Sequence, residues 1–150
     1  MKYAKKSLGQ NFLVDLNIIK KIVNLINISG KDILEIGPGK GALTEEILKK
    51  EPRSLILVEK DNLLSKELTL KYQKNKKVKV NNKDILKFNF EEKLKKKSII
   101  FGNLPYNISS QVLVNTIRFK KWPPNFSYLV FMFQKELAER ITGEYGSSKY

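Results

Sequence analysis

Short apolar runs alternate along this chain with stretches whose apolar residues recur at helical spacing, and that alternation leaves few folds open. The runs are Asp32–Ile36, Leu55–Val58, the alternating Val78 and Val80, Ser98–Phe101 and Tyr128–Phe133. Between and around them, Ile18, Ile22 and Ile26 mark one helix, with Asp15 as its cap. Others run from about Ala42 to Lys50, along Leu64, Leu68 and Tyr72, over Ile108–Phe119 and from Lys135 to Ile141. Strands and helices in alternation predict an α/β fold, a mostly parallel sheet flanked by helices on both faces. At 150 residues, with no internal repeat or linker, the chain reads as one domain.

Ligands of open α/β sheets bind outside the carboxyl ends of the strands, so the residues leaving each run come next. Gly37-Pro38-Gly39-Lys40-Gly41-Ala42 follows the first run directly and opens a helix. Glycines there let backbone approach a ligand that a Cβ would push away. Glu59 ends the second run, 22 positions after Gly37. That is close to the spacing of the acid that accepts from ribose hydroxyls in nucleotide-cofactor folds, and the spacing favours this over the other reading, a surface acid capping the helix that starts near Asp61. Asp84 follows the third run and either accepts from an adenine amino group or begins a turn. Phe101-Gly102-Asn103-Leu104-Pro105-Tyr106-Asn107 leaves the fourth. There Asn103, Pro105 and Tyr106 combine an amide, a carbonyl fixed by proline and an aromatic ring, suited to holding a flat base with an exocyclic amine. The same residue types also make an ordinary strand-to-helix turn. Gln10 and Asn11 beside Phe12 either touch a ligand or form a loop in which Phe12 and Leu13 pack as a hydrophobic staple.

Composition narrows the chemistry. The chain contains neither cysteine nor histidine, which excludes disulfides, thiolate metal sites and any imidazole-dependent triad; no metal is expected. A net charge of +14 and a pI near 9.8 point to a polyanionic partner. The abundance of Lys, Asn and Ile equally fits a coding bias toward A and T. Lys93–Lys97 reads as a solvated surface run, and the single Trp122 as a packed residue. No run is long enough to span a membrane. The basic amino terminus lacks an apolar signal core, so a cytoplasmic, membrane-free protein is expected.

Gly37, Gly39 and Ala42 also satisfy the G-x-G-x-x-G/A fingerprint, so a nicotinamide-dependent enzyme is a rival on spacing. The Asn-Leu-Pro-Tyr turn has no role in hydride transfer. As a set, Leu8-Gly9-Gln10-Asn11-Phe12-Leu13, Glu35-Ile36-Gly37-Pro38-Gly39, Glu59, Asp84 and Gly102–Ser109 resemble another family. They are similar to the amino-terminal part of the 16S ribosomal RNA adenine dimethyltransferases, the KsgA-type enzymes; Gln134-Lys135-Glu136 and Gly146–Tyr150 extend the likeness across the chain.

The resemblance implies a Rossmann-like S-adenosylmethionine-dependent methyltransferase fold with strand order 3-2-1-4-5-7-6, and a catalytic domain over 1–150. Asn11, Leu13, Gly37, Glu59, Asp84 and Asn103 would line the S-adenosylmethionine site, Glu59 at the ribose and Asp84 at the adenine amine. Asn103, Pro105 and Tyr106 would be catalytic. The implied substrate is small-subunit ribosomal RNA in a pre-ribosomal particle, dimethylated at adenines by a monomer. Erythromycin-resistance 23S methylases share the glycine turn and an Asn-x-Pro-Tyr motif, but Leu104 and 133–150 look more like the 16S branch. DNA adenine methyltransferases usually carry a second proline in place of Leu104. A non-catalytic RNA-binding or ribosome-assembly factor on this fold needs none of Glu59, Asp84, Asn103, Pro105 or Tyr106. The family continues past Tyr150, so the last strands, an aromatic-containing loop and a small helical domain are expected to be missing. Tyr128–Phe133 would then be an apolar sheet edge, and the 150-residue piece poorly soluble or inactive.

Overall fold

The computed structural model of the chain describes residues 13–104, 106–118, 122–143 and 146. Elements follow in the order α1 (Leu16–Val23), β1 (Asp32–Ile36), α2 (Ala42–Lys49), β2 (Ser54–Glu59) and α3 (Asn62–Tyr72). Then come β3 (Val78–Asn82), α4 (Phe90–Lys93), β4 (Ser98–Asn103), α5 (Ser109–Ile117), β5 (Phe126–Met132) and α6 (Lys135–Thr142). The five strands form one sheet in the order β3-β2-β1-β4-β5, and every pair is parallel. This is the predicted α/β architecture.

Period-two alternation divides each strand between two cores. Ile33 of β1, Leu55 and Leu57 of β2, and Ile99 and Phe101 of β4 face α1, α2 and α3, meeting Ile19, Val23, Leu43, Ile47 and Leu68. Leu34, Ile36, Val58 and Ile100 face the other way, onto Ile85, Phe88, Phe90, Leu94 and Val112. The central strands are buried on both faces, as their near-continuous apolar runs require.

Local signals explain the helix starts. Asp15 caps α1 by accepting from the backbone N–H groups of Asn17 and Ile18. Asp61 caps α3 in the same way, through Leu63 and Leu64. Leu64, Leu68 and half-buried Tyr72 form the expected inward stripe.

One reading changes. Trp122, expected to be packed, is 72% exposed, lying in the loop before β5 and in no helix or strand whose face would cover it. The β3–β4 connection, to which the sequence assigned no element, contains a 3-10 turn over Ile85–Lys87 and the one-turn α4. There Phe88 and Phe90 pack edge to face at 5.4 Å and close the second core. Within 93–97 the lysines are exposed as expected, whereas Leu94 is buried.

Candidate active site

A parallel sheet brings the carboxyl ends of all its strands to one edge. Gly37 after β1, Glu59 ending β2, Asp84 after β3 and Asn103 ending β4 therefore stand on four adjacent strands. The register aligns them: Ile36 pairs with Val58 on one side and with Gly102 on the other, and Glu59 pairs with Asn82.

The glycine turn is shaped by close approach. Gly37 has φ +65°, and its N–H donates to the carbonyl of Val58 at 3.0 Å. A Cβ on it would stand 3.3 Å from the carbonyl oxygen of Asn103. Gly41, at φ +83°, precedes α2, and a Cβ there would meet Leu68 Cδ2 at 3.2 Å and the Tyr72 hydroxyl at 3.3 Å. The turn is a cradle that side chains would fill.

Two acids flank it. Glu59 is buried, and its carboxylate accepts from Gly39 N–H at 3.1 Å and Asp61 N–H at 2.8 Å. Burial raises its pKa, the charge of Asp61 adds to the rise, and backbone N–H bonds from Asp61, Gly39 and Lys60 oppose it. The carboxylate is thereby fixed in orientation at the mouth of the turn, with acceptor capacity left over. Asn82 Nδ2 donates to the Glu59 carbonyl at 3.0 Å and ties β3 to the end of β2. Glu59 is thus a buried acid in the turn, not a cap; the capping role belongs to Asp61.

Glu35 lies beneath the turn, 1% exposed, and accepts from Thr44 Oγ1 at 2.7 Å. Burial pushes its carboxyl up to about 8, the Thr44 bond opposes this, and the charge of Glu59 adds to it. At neutral pH it holds a proton. Sequence reasoning gave Glu35 no role apart from the motif and missed Thr44 and Asn82. The signal was present: an acid inside an apolar strand needs a buried partner.

Of the two readings of Asp84, the structure shows the turn-beginning one. It caps the 3-10 turn through Leu86 N–H at 3.0 Å and pairs with Lys60 Nζ at 2.8 Å. Lys60 holds its carboxyl below the usual range, against a smaller effect of burial. It is a charged acceptor at the sheet edge.

Asn103 is the last residue of β4 rather than part of a free turn, pairing in register with Met132 of β5. Leu104, 2% exposed, pins the chain just beyond it. Tyr106 is 47% exposed, and its carbonyl accepts from Ser109 Oγ at 3.1 Å, holding the turn against α5. An exposed ring on an anchored backbone can take a flat partner. Leu13 packs against the first core beside α1. Asn11 and Pro105 lie outside the described residues.

The family described as ribosomal RNA adenine dimethylase matches residues 1–150, the whole chain. The chain belongs to that family. It is similar to the ribosomal RNA small subunit methyltransferase A of Pelagibacter ubique, 47% identical over 98% of this chain and 55% of that protein. Among solved structures it resembles a dimethyladenosine transferase from Plasmodium falciparum, with TM-score 0.80 and 30% identity, covering 93% of this chain and 49% of that one. It also resembles the 23S rRNA methyltransferase ErmE, with TM-score 0.77 and 28% identity, covering 91% and 53%. The chain spans about half the length of the curated relatives it matches. The five strands of this dimethylase-family chain occur in the order expected of strands 1 to 5. No helix among its described residues is long and apolar enough to cross a membrane.

Proposed function

We propose that this chain is the catalytic part of an S-adenosylmethionine-dependent enzyme that methylates the exocyclic amine of adenines in small-subunit ribosomal RNA. The observation that carries the reading is the row of Gly37, Glu59, Asp84 and Asn103 along one sheet edge. We further assign it to a cytoplasmic monomer acting on two adjacent adenines of a pre-ribosomal particle, as the dimethylase family suggests.

The donor set suits the cofactor. The cradle over Gly37, Gly39 and Gly41 gives backbone room for its methionine end, Glu59 presents a fixed carboxylate to ribose hydroxyls, and Asp84 presents a charged acceptor to an adenine amine. Leu13 would add apolar contact, and Asn11 an amide. When bound, the cofactor supplies an electrophilic methyl on a sulfonium, so the protein needs no metal or imidazole to drive the transfer.

The chain's own work is positioning. The adenine amine is a weak nucleophile because its lone pair is delocalised into the ring. The Asn103 side-chain oxygen and the Pro105 carbonyl would each accept one amine hydrogen, localising that pair and aiming it. Tyr106 would stack on the base, a contact worth roughly 1–3 kcal/mol. Holding reactants in line can contribute about 7–11 kcal/mol to lowering a barrier. The target base must leave any stack to reach the edge, as for other base-modifying enzymes.

Calorimetry of the complete protein with S-adenosylmethionine tests the assignment. Binding at one site, retained by Asn103→Ala while turnover is lost, is the expected outcome. Absence of binding would leave only the RNA-binding reading standing. Methylation confined to large-subunit RNA would move the protein to the resistance-methylase branch.

A further inference from the structure

The opposite edge of the sheet has its own chemistry. In a parallel sheet every strand begins on the edge remote from Gly37 and Asn103, and here the loops that lead into the strands carry the positive charge. Lys31 leads into β1, Arg53 into β2, Lys76 and Lys77 into β3, and a run of three lysines at 95–97 into β4. Over these four loops, residues 24–31, 50–53, 73–77 and 94–97, nine exposed cations face a single acid, Glu51. The described residues leaving the same four strands, between 37–41, 60–61, 83–84 and 104–108, carry three lysines and two aspartates. A coding bias toward lysine would load both edges alike. The excess lies on one.

Part of this face is built rather than merely decorated. Asp32, the first residue of β1, has a side chain only 5% exposed and accepts from Arg53, Ser54 Oγ and Lys95 Nζ, the last at 3.3 Å. It bridges the loops before β2 and β4 across β1. The Arg53 and Lys95 side chains remain 62% and 66% exposed. One buried carboxylate thus holds two cations in place while leaving them open to solvent. Four adjacent strands spread the row across about 14 Å, three interstrand spacings.

We propose that this strand-start face is a second RNA-binding surface, one that grips the phosphate backbone of a duplex segment away from the adenine being modified. The inference rests on the reading above that the substrate is RNA. Lysine-rich, sequence-blind contacts suit a backbone, because each phosphate neutralised releases condensed counterions. A folded RNA particle offers such a segment beside any single-stranded target. An anionic bilayer is the poorer fit: the exposed large apolar groups in the loops of this edge, Leu25 and Trp122, are single residues rather than an amphipathic helix face.

The test uses the complete protein and a triple charge reversal, Lys76→Glu, Lys77→Glu and Lys96→Glu, with the corresponding Gln triple as a milder companion. The probe is a duplex RNA without unpaired adenines, titrated at several salt concentrations. The reversal should weaken duplex binding at least tenfold and lower the slope of log K against log salt by about two to three units. The Gln triple should shift both in the same direction by less. S-adenosylmethionine affinity should not change, and KM for under-methylated small subunits should rise with kcat retained. Wild-type duplex affinity and salt slope in both triples would overturn the proposal, as would wild-type binding to vesicles of anionic lipid but not to duplex RNA. If the wild-type protein neither binds S-adenosylmethionine nor methylates RNA, the functional reading itself has failed. If it does both and the triples match it, only this surface is refuted.

Discussion

The carbonyl oxygen of Asn103 lies 3.3 Å from the point a Cβ on Gly37 would occupy. The glycine turn after β1 and the end of β4 therefore approach closely at this point, and the absent side chain is what lets them meet. Gly37→Ala would impose φ +65° on an L side chain and press on that carbonyl. A cost of about 1–2 kcal/mol in stability is expected from the conformation. A larger loss is expected in S-adenosylmethionine affinity, at least tenfold. Denaturant unfolding and calorimetry on the same variant read the two separately; a stable variant with native affinity would show that the close approach is incidental.

Glu59 is expected to hold the turn and to bind the cofactor, two roles that different substitutions separate. Gln keeps one acceptor oxygen for Gly39 or Asp61 and loses the charge and half of the acceptor capacity. Glu59→Gln should fold, with S-adenosylmethionine affinity down by 10- to 100-fold, about 1.4–2.8 kcal/mol. Glu59→Ala, which leaves both N–H groups without an acceptor, should also lose stability. Equal affinities for wild type and Glu59→Gln in calorimetry would remove the residue from the site.

Glu35 makes stability pH-dependent with a definite sign. Its folded pKa, about 8, stands above the ordinary 4.5. Between these values the folded protein keeps a proton that the unfolded chain releases, so stability falls as pH rises through that window. One such group gives a slope of up to about 1.4 kcal/mol per pH unit. Glu35→Gln keeps an acceptor for Thr44 and should flatten the slope, which denaturant midpoints measured from pH 5 to pH 8 on both proteins would show. A wild type with no downward slope there would contradict the buried neutral acid.

Most of the frame was legible because strands buried on both faces and amphipathic helices write different periods into the sequence. One inference, that strand ends of a parallel sheet share an edge, anticipated that Gly37, Glu59, Asp84 and Asn103 lie along one edge, though β4 runs on through Asn103. What escaped was pairing across distance. Nothing adjacent to Glu35 announces Thr44, nine residues on, and nothing in a lysine-rich loop announces that Asp32 will hold Arg53 and Lys95 together. Phe88 and Phe90 were hidden by polar neighbours, and Trp122 was misread because a large apolar residue is more often covered than not.

The Tyr106 ring, unlike its backbone carbonyl, is proposed to act on the base and not in the fold. With its ring 47% exposed, Tyr106→Phe should keep activity, whereas Tyr106→Ala should raise KM for RNA by roughly 5- to 150-fold, the range of 1–3 kcal/mol for one stacked base. Steady-state kinetics with saturating S-adenosylmethionine would show it. Loss of activity in the Phe variant would transfer the role from the ring to the hydroxyl.

The central claim is that the turn after β4 delivers an adenine of small-subunit RNA to a methyl donor held by the adjacent strand ends. Incubating the complete protein and its Asn103→Ala variant with S-adenosylmethionine and under-methylated small subunits, then mapping modified adenines, tests it most directly. Methylated adenines in small-subunit RNA with the wild type, and none with a folded, cofactor-binding Asn103→Ala, is the predicted result. Undiminished methylation by Asn103→Ala, or no modified adenine with either protein, would contradict it.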